Sequence, residues 1–378
     1  MRRVLHVIGI MNLGGAETLI MNVYRKLDRS RIQFDFVTLN LNEGEYDPEI
    51  MRMEGRIFRI APPSSAGLMK TSRDFRRILR QHGPFAAVHS HVHKFSGVFA
   101  FIAAREDVPV RVVHSHTTLD TRNDHGMRLG YSTAMRALIR RYGTSLVGCS
   151  QEACRTLFGP RYVNDDRVKV LHNGVDWTQF ASEEAHRDRT RSRLGLDSDA
   201  TVFCHVGNFC VPKNHGFLIA MFREIAMLLP KSHLLLVGDG PLRAGIISLI
   251  SNSGLQQRVT VLGHRRDIPA LLGASDMFLF PSLWEGVPTA LIEAQMAGLA
   301  CLASSRITTE ADLGIGLIHF CNLETGPKHW ANEALHVLET KRAVCLSART
   351  LALEKTGYDI SSVTKDLESI YYAVSLAR

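Results

Sequence analysis

The chain has 378 residues, 45% hydrophobic and 22% charged, the balance of a globular protein with enough length for two cores. No stretch approaches the roughly 18 uninterrupted apolar residues of a membrane span. Seven cysteines, an odd number with no C-x-x-C pair, argue against a disulfide framework or structural zinc and for reduced thiols in a cytoplasmic setting. The net charge of +8 is uneven: residues 1–175 hold 26 Lys+Arg against 16 Asp+Glu, and the remainder 19 against 21. A polyanionic partner, nucleic acid or an anionic membrane surface, would therefore meet the first half only.

Taken in chain order, short β-branched runs alternate with longer amphipathic stretches. Met1-Arg2-Arg3 leads into an apolar run too short, and without the small-residue cleavage site, for a secretory signal. It reads as a first strand over residues 4–8. Further strands are predicted at 34–39, 86–89, 110–114 and 145–149, with helices at 16–27 and 72–80 between them. A polar, charge-rich stretch without strand pattern, 175–198, breaks the rhythm. The second half repeats it, with strands at 201–206, 233–237, 259–262, 277–280 and 299–303 and helices at 216–229 and 241–251. Strand–helix alternation of this spacing builds a doubly wound parallel sheet, here twice. In such sheets ligands bind beyond the carboxyl ends of the strands, so the residues just after each strand are the ones to inspect.

The densest candidate is the block from Phe278 to Gly298. A strand ends at Phe280, a loop carries Glu285-Gly286-Val287, and a helix begins near Pro288, a residue suited to a first turn. The exposed N–H groups of residues 286–289 and the helix dipole favour a phosphate there. Glu285 in the loop and Glu293 in the helix flank that anion site, and a carboxylate accepts hydrogen bonds from two sugar hydroxyls at once. Two glutamates eight residues apart are common, so the flanking Gly-Val-Pro and the small-residue run Ala294 to Gly298 carry the specificity. Near the start, a strand leads to Asn12-Leu13-Gly14-Gly15-Ala16-Glu17, where glycines let a backbone approach a phosphate or acceptor closely, although a plain tight turn explains them equally well. Val206-Gly207-Asn208 and Lys213 follow the first strand of the second half, and His264-Arg265-Arg266-Asp267 follow a later one. Gly238-Asp239-Gly240-Pro241 is not a dinucleotide fingerprint, because the third glycine is misplaced.

On these blocks the sequence resembles the retaining nucleotide-sugar glycosyltransferases of family 4, in particular those of bacterial exopolysaccharide and capsule synthesis. The resemblance covers essentially the whole chain and implies an α/β architecture of the GT-B kind, two Rossmann-like doubly wound parallel-sheet domains facing across a cleft. The implied boundaries are an acceptor-side domain at 1–175, a nucleotide-sugar domain at 176–360, and a terminal helix, 361–378, returning to the first domain. The resemblance implies that Glu285 faces the donor sugar and Glu293 the ribose hydroxyls. It sets the Gly14-Gly15 loop opposite the donor phosphates, the backbone at His264-Arg265 near the nucleobase, and Gly286, Val287 and Pro288 at the anion site. His172-Asn173-Gly174-Val175-Asp176 is similar to the family's interdomain hinge, which places Asn173 there. Gly207 and Lys213 match the diphosphate segment, but Asn208 stands where the family usually has arginine, so the diphosphate has one cation fewer. The resemblance also aligns His116 with a histidine that reaches the donor sugar.

Read alone, His89-Ser90-His91-Val92-His93 and His114-Ser115-His116 suggest a strand-end metal site, with His89, His91 and His93 on one side. Two open sheets do not make the barrel of a metal hydrolase, and no further Asp/His set is evident. No metal or other cofactor is therefore expected, and His91 reads as a satisfied structural histidine. Arg73, Arg76, Arg77 and Arg80 on one helix face, and the group Arg136, Arg140 and Arg141, supply a basic surface for an anionic leaflet. Without aromatic–basic interleaving, nucleic acid is not expected. The reading is a retaining, metal-independent hexosyltransferase. It takes a nucleotide-sugar, with UDP the expected carrier, and a glycan or lipid-linked glycan acceptor, and sits in the cytoplasm or peripherally on the inner membrane face. A nucleotide-sugar epimerase, a metal-dependent hydrolase and a non-catalytic binder of nucleotide-sugar are the alternatives.

Overall fold

The computed structural model describes residues 1–116, 127–181 and 183–373, excepting the side chains of 127, 128 and 183–185. The last five residues of the expected terminal helix lie outside that range. The chain forms two compact units, one of residues 1–174 with 360–378 and one of 175–359.

The first unit holds a seven-stranded parallel sheet in the order β3-β2-β1-β4-β5-β6-β7. Its strands are β1 (Arg2–Ile8), β2 (Ile32–Thr38), β3 (Ile57–Arg59), β4 (Ala87–Ser90), β5 (Val110–Ser115), β6 (Ser145–Gly148) and β7 (Val168–Val170). The second unit holds six parallel strands in the order β10-β9-β8-β11-β12-β13. These are β8 (Thr201–Val206), β9 (Ser232–Val237), β10 (Val259–Gly263), β11 (Met277–Phe280), β12 (Ala300–Ser304) and β13 (Ile318–Cys321).

The two-residue period of a strand explains why each sheet has two cores. In β1, Val4 and Ile8 enter one core with Phe34 and Tyr371, while Leu5 and Val7 enter another with Phe75 and Phe99. In β11, Phe278 and Phe280 join one core and Met277 and Leu279 the other. The ten expected strands are all present. Those not foreseen, β3, β7 and β13, are edge strands of three or four residues with partly exposed side chains, too short to carry a period.

The stretch 175–198 has no strand, as expected, but contains the helix Glu183–Arg193, two of whose arginines are anchors. Arg187 and Arg191 both reach Asp276, at 2.5 and 2.7 Å, and Arg191 also binds the Ala274 carbonyl at 2.9 Å. The arginines of the basic surface also make internal contacts. Arg136 and Arg140 donate to the Thr156 and Phe158 carbonyls at the end of the helix Gln151–Phe158, Arg76 and Arg80 pair with Glu106, and Arg77 with Asp74. Arg73, Arg76, Arg77 and Arg80 are all exposed, as are Arg140 and Arg141.

The chain leaves the first unit after Gly174 and re-enters it at Ile360. The helix Ile360–Tyr372 buries Ile360, Val363, Leu367, Ile370 and Tyr371 in the core of the first sheet. A Cβ on Gly174 would lie 2.7 Å from Ile360 Cδ1 and 2.9 Å from its Cα, so this close approach requires glycine. Gly174→Val is expected to lower stability by about 1–3 kcal/mol through overpacking, read from the urea midpoint; an unchanged midpoint would mean the helix is not seated there.

Candidate active site

Two loops at the carboxyl ends of the second sheet are bound together. One follows β8 and the other follows β11. Leu283 N donates to the Pro212 carbonyl at 2.8 Å, and Asn214 Nδ2 donates to the Pro281 carbonyl at 3.1 Å. Asn214 adopts the left-handed conformation, φ 54°, at the start of the helix His215–Leu228. Between these ties Lys213 Nζ lies 2.8 Å from Glu285 Oε1, with side chains 15% and 16% exposed. The contact is ionic rather than a directed hydrogen bond, since Glu285 Oε1 has no hydrogen-bond partner of proper geometry.

Lys213 is aimed by its surroundings. Its ammonium sits 4.7 Å from the Phe280 ring centre, where the ring's quadrupole attracts a cation. Its stem crosses Gly207, where a Cβ would come within 2.8 Å of Lys213 Cε. Asn208, beside Gly207, is exposed and adds no charge.

The helix Thr289–Met296 starts directly beyond Glu285, with Pro288 at its cap. Val287 and Pro288 are buried, and Val287 packs into the core, which pins the loop. Among the described residues, the N–H groups of Gly286 and Val287 make no backbone hydrogen bond. Glu293 lies one turn into this helix. No donor or cation among the described residues meets its carboxylate, and desolvation pushes it up to about 7. His264 is exposed, whereas Arg265 is tied to Asp267 at 2.7 and 2.6 Å and so is already neutralised.

In the first unit, Gly14 caps the helix Gly15–Lys26. The Glu17 carboxylate folds over Gly14, and burial raises its pKa. Sequence reasoning passed over Glu17; its place in the first helical turn behind two glycines was the available signal. Asn173 is the residue before the glycine at which the chain leaves this unit.

The histidines correct the expectation most. His93 falls in a 3₁₀ turn with φ 51°, not on a shared face with His89 and His91. The strand ends instead gather His6, His89, His91, His114 and His116. His6 and His89 are register partners on β1 and β4. His6 Nδ1 lies 3.0 Å from His91 Nε2, and His91 Nδ1 lies 2.8 Å from His116 Nε2. His89 Nε2 lies 3.2 Å from His114 Nδ1, and His89 Nδ1 lies 2.7 Å from Tyr371 Oη. Burial lowers all five pKa values, to about 3 for His6 and about 4 for His116, so the imidazoles are neutral. The two histidine motifs are one cluster, completed by His6 from a strand that carries no such motif.

Two doubly wound parallel sheets, of seven and six strands, are the architecture of the GT-B glycosyltransferases. Two family models match: "Glycosyltransferase Family 4" over residues 13–179 and "Glycosyl transferases group 1" over 186–313. The chain is 35% identical over 370 residues to a protein described as a glycosyltransferase, EpsF of Bacillus subtilis, covering 98% of this chain and 96% of that one. It is 25% identical over the full length of both chains to the capsular polysaccharide biosynthesis glycosyltransferase CapH of Staphylococcus aureus. The crystal structure of Anabaena HepE with UDP and glucose matches with a TM-score of 0.76 at 18% identity, covering 98% of this chain and 99% of that one. The chain belongs to the family 4 glycosyltransferases and is a glycosyltransferase of GT-B fold.

Glu293 gives a pH prediction. A carboxyl raised from 4.5 to about 7 in the fold makes the native state bind more protons than the unfolded chain, so its contribution to stability falls as pH rises from 4.5 to 7. Glu293→Gln is expected to gain about 2 kcal/mol over wild type at pH 8, with the gap closing near pH 4.5; parallel denaturation curves at both pH values check this.

Proposed function

We propose that this glycosyltransferase transfers a sugar, with retention of configuration, from UDP-sugar to a hydroxyl of a glycan or lipid-linked glycan in bacterial exopolysaccharide or capsule synthesis. The observation that carries the reading is the Lys213–Glu285 pair held between two cross-linked loops at a helix N-terminus. Retention requires the acceptor to approach on the face from which the diphosphate departs. The enzyme must therefore stabilise negative charge on the leaving group beside a positively charged sugar ring. Lys213, the Gly286 and Val287 N–H groups and the dipole of the helix Thr289–Met296 meet that charge. Glu285, beside the ammonium, faces the sugar and accepts from its hydroxyls. Glu293 accepts from the ribose hydroxyls, whose hydrogen bonds offset its desolvation. Asn208 lends a neutral donor to the diphosphate, and the backbone at His264-Arg265 meets the base. His116 is assigned to the donor sugar and the Gly14-Gly15 loop to the donor phosphates. Asn173 acts at the crossing between the units.

The UDP bound by HepE and the capsular role named for CapH support the donor and the pathway class. Because protein groups supply the counter-charge, no divalent ion is required at the diphosphate. The enzyme works peripherally on the anionic cytoplasmic leaflet. Lys70, Arg73 and Arg77 on the helix Leu68–His82 face the lipid headgroups beside the exposed Leu68 and Met69.

The test is the melting temperature with UDP, GDP and ADP, followed by transfer assays. UDP at about 100 times its dissociation constant stabilises by roughly 2.7 kcal/mol, and this shift is expected for wild type and absent in Glu293→Ala. Glu285→Gln is expected to lower kcat about 100-fold or more, and Lys213→Ala to weaken UDP binding about 10–100-fold. Asn208→Arg is expected to tighten it. Loss of turnover in chelator, restored by magnesium, would overturn the metal-free reading.

A further inference from the structure

Four of the five clustered imidazoles have no part in the transfer chemistry, yet their geometry is that of a ligand set. We propose that His91, His114 and His116 bind one divalent transition-metal ion of the zinc class, with His6 and His89 fixing the ligands from behind. One nitrogen from each of the three lies within 4.8 Å of the other two. A tetrahedral ion about 2.0–2.1 Å from each nitrogen sets the nitrogens about 3.3 Å apart. Ring rotations that reach this geometry draw in the longer edges of the triangle and open the His91–His116 pair, now hydrogen-bonded at 2.8 Å.

For His91 and His114 the outer nitrogens support this choice, while the outer Nδ1 of His116 has no partner among the described residues. Histidine ligands of metals ordinarily have the second ring nitrogen held by a neighbour, which fixes tautomer and orientation. His114 Nδ1 is held by His89 Nε2 at 3.2 Å, and His89 in turn by Tyr371 Oη at 2.7 Å. That leaves the buried His114 Nε2 with no partner among the described residues. His91 Nε2 is held by His6 Nδ1 at 3.0 Å, which leaves its Nδ1 for the ion. His91 and His116 are half-buried, so an ion can enter from their side. The rings are neutral, as ligation requires. A second triad, His6, His89 and His91, is equally compact, but His6 and His89 are each 1% exposed, and His89 is committed to Tyr371 and His114.

Three imidazoles leave a fourth position open. The consequence for transfer rests on the proposed role of His116: zinc bound there withholds this side chain from the donor sugar and inhibits the enzyme reversibly. The binding itself is independent of that role.

The experiment is titration of the chelator-treated full chain with Zn²⁺ by calorimetry and with Co²⁺ by visible absorption, beside the transfer rate with and without Zn²⁺. The expected result is one ion per chain, a cobalt spectrum of four-coordinate nitrogen ligation, and a melting temperature that rises with zinc. His114→Gln and His116→Gln should abolish all three, and His6→Gln should weaken binding about 10–100-fold. The cobalt spectrum needs no variant and so reads the site even where a substitution disturbs folding. Non-saturating binding overturns the proposal. So does binding that survives in His116→Gln but is abolished by His6→Gln, which would assign the ion to the inner triad. Zinc that binds as described and leaves transfer unchanged upholds the site and removes His116 from the transfer mechanism.

Discussion

A parallel strand covered on both faces offers no dry place for a lone polar side chain. Both sheets obey this constraint, and the chemistry of each unit follows from it. Alternate residues of β1 and of β11 go to separate apolar cores. Polar groups on the strands find partners on neighbouring elements, as His89 does with His114 and Tyr371, or stand where the strands end and loops begin. The two units use that freedom differently. The second gathers opposite charges, Lys213 and Glu285, against a helix N-terminus. The first gathers five neutral rings.

The loop that carries the lysine is met by a backbone approach that only glycine permits, at Gly240. The lysine stem lies across Gly207, and Gly240, at φ 158°, would place a Cβ 2.7 Å from the Phe209 carbonyl. The loop after β8 is thereby compressed against its neighbours and cross-tied to the loop after β11. The ammonium is held in place by protein contacts alone, over the Phe280 ring and beside Glu285. The exposed Asn208 beside it adds no charge.

The basic surplus of the first half has a partly internal purpose. Asp35, fully buried, is held by Arg3 and Arg56 at 2.7 and 2.6 Å, and Arg111, Arg136, Arg140 and Arg167 cap backbone carbonyls. Guanidinium groups suit this work because their planar fork satisfies several acceptors at once. The basic charge free of such internal work is correspondingly smaller; part of it lies on the helix Leu68–His82, beside the exposed Leu68 and Met69.

Much of this was legible in the sequence, because hydrophobic period and strand-end position are local properties. The alternation of runs such as 201–206 and 277–280 determined two parallel sheets, and the strand, loop and helix around Glu285 were each legible where the structure has them. The short edge strands β3, β7 and β13 escaped because three or four half-exposed residues carry no period. The clamp of Arg187 and Arg191 on Asp276 escaped because its partner lies more than eighty residues away. The histidine cluster was decided by tertiary structure alone. His6 sits in an ordinary apolar strand and His93 in a tempting motif, and only the strand order, setting β1 beside β4 and β4 beside β5, brings the first in and leaves the second out. Sequence fixes which side chains alternate along a strand; which strands become neighbours is settled by the packing of the whole sheet.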